Sequence, residues 1–341
     1  MSWVFEGTLL PEGDVGRMIL GVGEPQGLPG RYALVGLVDA HCHVTVARNA
    51  DEPYLDGCGA PARLDALARS GVTTLRDVGG DRQVTLDLAR SCREGWPTVL
   101  AAGRFLAPQQ RYFPRMYSPV EPDDLVAAVE QEIAAGATWV KIIADFPRVD
   151  GSPLRGGTAA ASYPADVVAA AIAAAHRAGA RVAAHTTTSL AATLIEAGVD
   201  SIEHGDGLTR TDLESLASRG GAWTPTLGAA VGAMRRGDQD AQSAGAELSE
   251  RFTELLPLAA ALGVTLLTGS DVVGSVAEEI ALLCEHGLNP SQALRAATTS
   301  ARTYLGCGPS EDLVTYEADP RCDPEVLANP SAVVMRGLRV R

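Results

Sequence analysis

Trp139-Val140-Lys141-Ile142-Ile143-Ala144 contains the only lysine of the chain, whose 28 basic side chains are otherwise 27 arginines. A general preference for arginine explains the 27, because either residue serves on a solvated face. It does not explain the exception. A lone lysine in an apolar, β-branched run is poorly placed to carry charge, since desolvation favours the neutral amine. Guanidinium stays protonated and cannot replace it. Such an amine can take up carbon dioxide as a carbamate that bridges two metal ions, form a Schiff base, or act as a general base. The plainer alternative is a lysine that snorkels out from a strand end.

Around this run the chain alternates. From residue 34, apolar segments of strand length are separated by Ala/Leu-rich helical stretches, and a glycine tends to end each helix before the next strand. Strands are expected near 34–40, 72–77, 98–102, 138–144, 180–185, 199–204, 221–226 and 264–270. Helices are expected near 61–70, 83–94, 122–135, 164–178, 189–197, 211–219, 243–262, 275–286 and 290–304. Eight strands with intervening helices predict an α/β fold, a (β/α)8 TIM-like barrel in preference to an open doubly wound sheet. No GxGxxG follows the first strand, so the dinucleotide-binding marker is missing.

Before the barrel, 3–9 and 15–22 read as a hairpin about Pro11-Glu12-Gly13-Asp14. After Gly306, 312–316 and 332–340 read as two more strands. The expected organisation is an N-terminal β segment (1–33), a barrel (34–305) and a C-terminal β segment (306–341), the two terminal segments packing together as a small β layer. Neither an internal repeat nor a low-complexity linker is evident.

The chain has 341 residues, 46% of them hydrophobic, enough for a large core, and a net charge of -14. That field disfavours nucleic acid and anionic membranes as partners. The N-terminal residues do not resemble a secretory signal, and no apolar run reaches the roughly 18 residues of a membrane span. Six cysteines without a CxxC pair suggest reduced thiols, so a cytoplasmic location is expected. A small-molecule substrate is expected, and a homo-oligomer is compatible with the composition.

Asp39-Ala40-His41-Cys42-His43 ends the first strand. Alternation puts His41 and His43 on one face, roughly 6–7 Å apart, where both can reach one metal ion. Cys42 points the opposite way, as a buried structural thiol. Further ligand types follow at strand ends: His185 after Arg181-Val182-Ala183-Ala184, His204 after Ser201-Ile202-Glu203, and Asp271 after the strand at 264–270. Lys141 lies towards the end of the fourth strand. All fall on the C-terminal side, where barrel enzymes build their sites. The other two of the six histidines, His176 and His286, lie near helix C-termini and receive no chemistry.

With these motifs together, the sequence resembles the binuclear branch of the amidohydrolase superfamily. The resemblance rests on Asp39-Ala-His-Cys-His43, Val140-Lys141-Ile142, Val182-Ala-Ala-His185, Asp200-Ser-Ile-Glu-His-Gly205 and Thr268-Gly-Ser-Asp271. Gly71-Val-Thr-Thr-Leu-Arg-Asp-Val-Gly-Gly80 and Ala293-Leu-Arg-Ala-Ala-Thr-Thr-Ser-Ala-Arg302 are similar to imidazolonepropionase-like and Xaa-Pro dipeptidase-like members. It implies that His41, His43 and Asp271 bind one metal, that His185 and His204 bind a second, and that carboxylated Lys141 bridges them. Such ions, roughly 3.5–4 Å apart, activate a bridging hydroxide as nucleophile. Asp271 would pass its proton to the leaving nitrogen. Ligation without thiolates suits zinc, with manganese or cobalt as substitutes.

The implied activity is hydrolysis of a C–N bond in an amide or peptide-like substrate, an N-acyl amino acid or dipeptide with a free carboxylate. Alternatives are a cyclic amide or lactone hydrolase on the same metals, a mononuclear deaminase, and a non-catalytic barrel that only binds. In the loop after the third strand, Arg111 or Arg115 can pair with a substrate carboxylate and Tyr112 or Tyr117 can donate to a developing oxyanion. The competing reading is a loop packed on its own aromatics. Arg148 and Arg155 are lesser choices for the same anionic role.

Overall fold

The computed structural model describes residues 1–49, 52–149, 158–308 and 310–341. Arg155 lies outside them. The fold is α/β. Strands Leu37–Cys42, Val72–Asp77 and Thr98–Ala101 pair in parallel. Phe105–Leu106, Trp139–Ile143, Arg181–Thr186, Ser201–His204, Ala222–Thr224 and Thr265–Leu266 form a second parallel series. Apart from Thr98–Ala101 and Phe105–Leu106, which follow each other directly, helices stand between successive strands, among them Ala60–Arg69, Leu125–Ala134, Ala165–Arg177 and Gln239–Leu262.

Backbone bonds bring the ends of the two series together. The Thr138 N–H donates to the Ala101 carbonyl at 3.2 Å. On the other side, the Ala40 N–H donates to Thr268 and the Asp271 N–H to His41, each at 2.8 Å. Cys42 and Asp271 form an isolated parallel bridge. Helix ends follow the expected chemistry: Gly198 (φ 105°) and Gly263 (φ 87°) take the left-handed conformation that ends a helix without a Cβ penalty.

Three expected elements are subdivided. The run 34–40 splits into Tyr32–Val35 and Leu37–Cys42 at Gly36, where a Cβ would lie 1.9 Å from Thr73 Oγ1. The last helical stretch becomes Pro290–Ala296 and Thr299–Leu305, because the Ala297 carbonyl accepts from Val38 of the first parallel strand instead of continuing the helix. The final strand folds back on itself as Ala332–Met335 and Leu338–Arg339 about Arg336 and Gly337, both with positive φ.

Tyr32–Val35 belongs to a separate sheet with strand order Asp14–Gly21, Ser2–Leu9, Tyr32–Val35, Leu313–Tyr316, Ala332–Met335 and Leu338–Arg339. The period-2 pleat divides its apolar residues between two cores. Trp3, Phe5, Ala33, Leu313 and Val334 pack on one face. Leu34, Val314, Val333 and Met335 join the main α/β core on the other. Leu34 is fully buried there. Leu34→Ala should lower the unfolding free energy by about 2–5 kcal/mol in urea denaturation. A loss below about 1 kcal/mol would mean that this sheet is not docked on the main core.

Candidate metal centre

The apolar strands end in polar residues, and those ends converge. His41, His43 and Asp271 place one ligand atom each within 4.8 Å of one another. His43 Nε2 and Asp271 Oδ1 are 3.4 Å apart. Two ligands at 2.0–2.1 Å on a tetrahedral ion lie about 3.3 Å apart, so this spacing fits shared ligation. The His204 ring lies 5.1 Å from His41 and 4.5 Å from His185, centroid to centroid. Asp271 (φ 54°) and His204 (φ 67°) both have left-handed backbones, which turn the chain sharply where it leaves the strands.

Neighbouring acceptors fix the tautomers. His43 Nδ1 donates to the Gly79 carbonyl at 2.8 Å. His41 Nδ1 donates to Glu203 Oε2 at 2.6 Å. The Thr226 hydroxyl donates to the Pro225 carbonyl, so its oxygen accepts from His204 Nδ1 at 2.7 Å. In His41 and His204 this leaves the Nε2 lone pair for a metal. His43 Nε2 faces Asp271 Oδ1, and although burial works the other way, the hydrogen bond and charge of Asp271 raise the His43 pKa, so a metal there would replace a proton. Burial, with Lys141 nearby, pushes His41 down to about 4 and His185 to about 3. His204 also falls well below its ordinary value through burial and the charge of His185. These rings are neutral near pH 7, as ligation requires. Burial works against ionising Asp271, but the hydrogen bond with His43 and the surrounding imidazoles hold its carboxyl well below the usual range.

Lys141 is 1% exposed and its Nζ has no hydrogen-bond partner among the described residues. Burial lowers its pKa to about 8, against the upward pull of Glu203 and Asp271. His41, His185 and His204 all feel its charge. An unpartnered buried amine beside imidazoles and a carboxylate fits a residue completed by another group, and this donor set suits divalent metal.

Tyr112 is buried with its ring against Phe105, Phe113 and Phe146, and 6.3 Å from His185. Burial and then the charge of Asp271 raise its phenol, placing it within electrostatic reach of the centre. Tyr117, Arg111 and Arg115 are engaged elsewhere. The Tyr117 hydroxyl donates to Pro108 at 3.0 Å and accepts from the Arg111 N–H at 3.3 Å. Arg111 donates to the Phe146 carbonyl at 2.9 Å. Arg115 pairs with Glu52 at 2.7 Å and stacks on Tyr54. Arg148 is tied to Gln110. Cys42 is buried away from the rings, its Sγ 3.7 Å from the Arg76 carbonyl, and all six cysteines are free.

Two supporting residues lack a role in the sequence reading. Glu203, fully buried, also accepts from Arg76 at 2.7 Å and Ser201 at 2.6 Å. Arg76 stacks 4.3 Å over Trp139, two residues before the lysine. The signal that singles out Lys141, a charge inside an apolar strand, is present for both. Asp39 is a third support: it accepts from the His41 and Ser270 N–H groups and from the Ser270 hydroxyl, which joins the first strand to the residue before Asp271.

The model of the amidohydrolase family matches residues 32–310, and this chain belongs to that family, whose enzymes hydrolyse carbon–nitrogen bonds. An uncharacterized protein of Mycobacterium tuberculosis (strain ATCC 25618 / H37Rv) is 33% identical over 354 residues, covering 98% of this chain and 90% of its own. The crystal structure of a Xaa-Pro dipeptidase with bound methionine superposes with TM-score 0.81 at 22% identity over 99% of both chains. A prolidase complexed with N-methylphosphonate-L-proline gives 0.79 at 24% identity over 100% of both. These two likenesses establish a shared fold. Among the described residues, no helix is long and apolar enough to cross a membrane.

Glu203→Gln removes the charge behind His41 and leaves one acceptor oxygen where His41 on one side and Arg76 and Ser201 on the other now use two. Glu203→Gln is expected to weaken binding of the tighter metal equivalent roughly 10–100-fold in a chelator-competition titration. Unchanged affinity would show that the His41 ring needs no such support.

Proposed function

We propose that this protein is a metal-dependent hydrolase that cleaves the C–N bond of a small amide or peptide-like substrate, a dipeptide or N-acyl amino acid with a free carboxylate. The observation that carries this reading is Lys141: a single buried amine without a hydrogen-bond partner among the described residues, within electrostatic reach of the His/His/Asp group. Family membership supports the reaction type, and the prolidase and dipeptidase folds support the substrate class. They also support closing the two parallel series into a (β/α)8 barrel that starts at Leu37, with Phe105–Leu106 continuing Thr98–Ala101 as one strand, while Tyr32–Val35 joins 1–33 and 306–341 in the flanking sheet.

His41, His43 and Asp271 would hold one cation and His185 and His204 a second. Lys141, once its neutral amine has added carbon dioxide and lost a proton, would offer a carboxylate to both. Two divalent cations, for which zinc best suits these donors, would supply activated water and polarise the substrate carbonyl. Asp271 accepts the proton released as water adds and delivers it to the leaving nitrogen. The Tyr112 hydroxyl donates to the carbonyl oxygen as it gains charge. Phe105 and Phe146, packed against His43 and His185, exclude bulk water from that side.

Lys141→Arg should bind fewer than two metal equivalents and lose dipeptide hydrolysis. Retention of both metals and full turnover would end the carbamate reading. In the unsubstituted apoprotein, the neutral fraction of an amine with a pKa near 8 rises from roughly a tenth at pH 7 to nine-tenths at pH 9. At fixed dissolved carbon dioxide, metal uptake should therefore quicken with pH over that window. Tyr112→Phe is expected to lower kcat by roughly 10²–10³-fold with little change in KM. A change confined to KM would make Tyr112 a binding residue only.

A further inference from the structure

Beyond the strand Ala222–Thr224, the chain runs through Pro225 and Thr226 into a wide helical turn, Gly228–Gly232. Thr226 has φ 49°, a left-handed conformation that a β-branched residue keeps only when its surroundings impose it. The same Thr226 oxygen fixes the His204 tautomer. What holds Thr226 is found on another helix.

The N–H groups of Leu227 and Gly228 are the first donors of the turn. Both point at Glu279 on helix Val276–Glu285, Leu227 to Oε1 at 2.9 Å and Gly228 to Oε2 at 3.0 Å. Glu279 is 1% exposed and forms no ion pair among the described residues. Burial raises its pKa to about 8, Asp39 and Glu278 push the same way, and only the two backbone bonds oppose them. A carboxyl group without a counter-ion is costly to bury, and an apolar residue would fill the space at lower cost. It offers one acceptor oxygen to each of two adjacent N–H groups.

We propose that Glu279 is a positioning residue for His204: it clamps the backbone at 227–228, which holds Thr226 in its left-handed turn and aims Nε2 of His204. This rests on the reading of His204 as a ligand of the second metal. Glu279 touches neither substrate nor metal, so its effect should fall on one of the two metal equivalents.

The test is titration of the apoprotein with cobalt(II), read by visible absorption, alongside thermal unfolding. Glu279→Gln loses one acceptor oxygen and turns an amide N–H₂ towards a backbone N–H. It should weaken the second equivalent roughly 10–100-fold and leave the first unchanged. Thr226→Val should do the same, Thr226→Ser should not, and the double variant Glu279→Gln/Thr226→Val should be no worse than either alone. If Glu279→Gln does not fold, Glu279→Asp, which keeps both oxygens on a shorter arm, is titrated in its place with the same expectation. Equal weakening of both equivalents, or none, would overturn the proposal. A parent protein that takes up fewer than two equivalents would instead remove the metal reading on which it stands.

Discussion

One carboxylate, that of Glu203, ties four strands together. It accepts from His41 on the first parallel strand and from Arg76 on the second, while Arg76 lies against Trp139 on the lysine strand and also donates to the Ala40 carbonyl at 2.5 Å. A buried ion pair of this kind adds little net stability, because desolvation offsets much of the attraction. Breaking it is another matter: an Arg76 without Glu203 would be a buried charge with no counter-ion. The interaction therefore acts as a constraint on geometry, allowing these strand ends only one arrangement.

That constraint explains why the rings can be ordered around a centre made of mutually repelling or unpartnered groups. Glu203, Gly79 and Thr226 each take one nitrogen of a histidine, and Asp39 joins the first strand to Ser270. Acceptors behind each ring determine which nitrogen faces inward, so the inner surface is a set of lone pairs and one amine. The same side chains that specify the fold at this end of the sheet also set the geometry of the candidate centre. Separating stability from function by mutation will be difficult at Arg76, Glu203 and Asp39 for that reason.

The α/β alternation could be read directly, because strands and helices here follow their apolar periods and the helices end at glycines such as Gly198 and Gly263. Subdivision within elements could not. The breaks at Gly36 and Ala297 depend on Thr73 and Val38, which are distant in sequence and reveal nothing by local propensity. His41, His43 and Asp271 could be picked out because each ends an apolar strand. The loop side chains could not be sorted that way. Tyr112, Tyr117, Arg111 and Arg115 lie within seven residues of one another, and only tertiary contacts separate a ring near His185 from groups tied to Pro108, Phe146 and Glu52. Glu279 was invisible for the same reason, since its partners are backbone N–H groups.

The sheet beside the main core has a temporal consequence. Tyr32–Val35 finds its neighbour, Leu313–Tyr316, only after about 280 further residues have been made. At ribosomal speeds of 5–20 residues per second, the early hairpin waits roughly 15–55 s with one flank unpaired. During that interval the growing polypeptide offers an open β edge to any passing chain, so chaperone cover during synthesis matters more for this protein than its mature surface suggests.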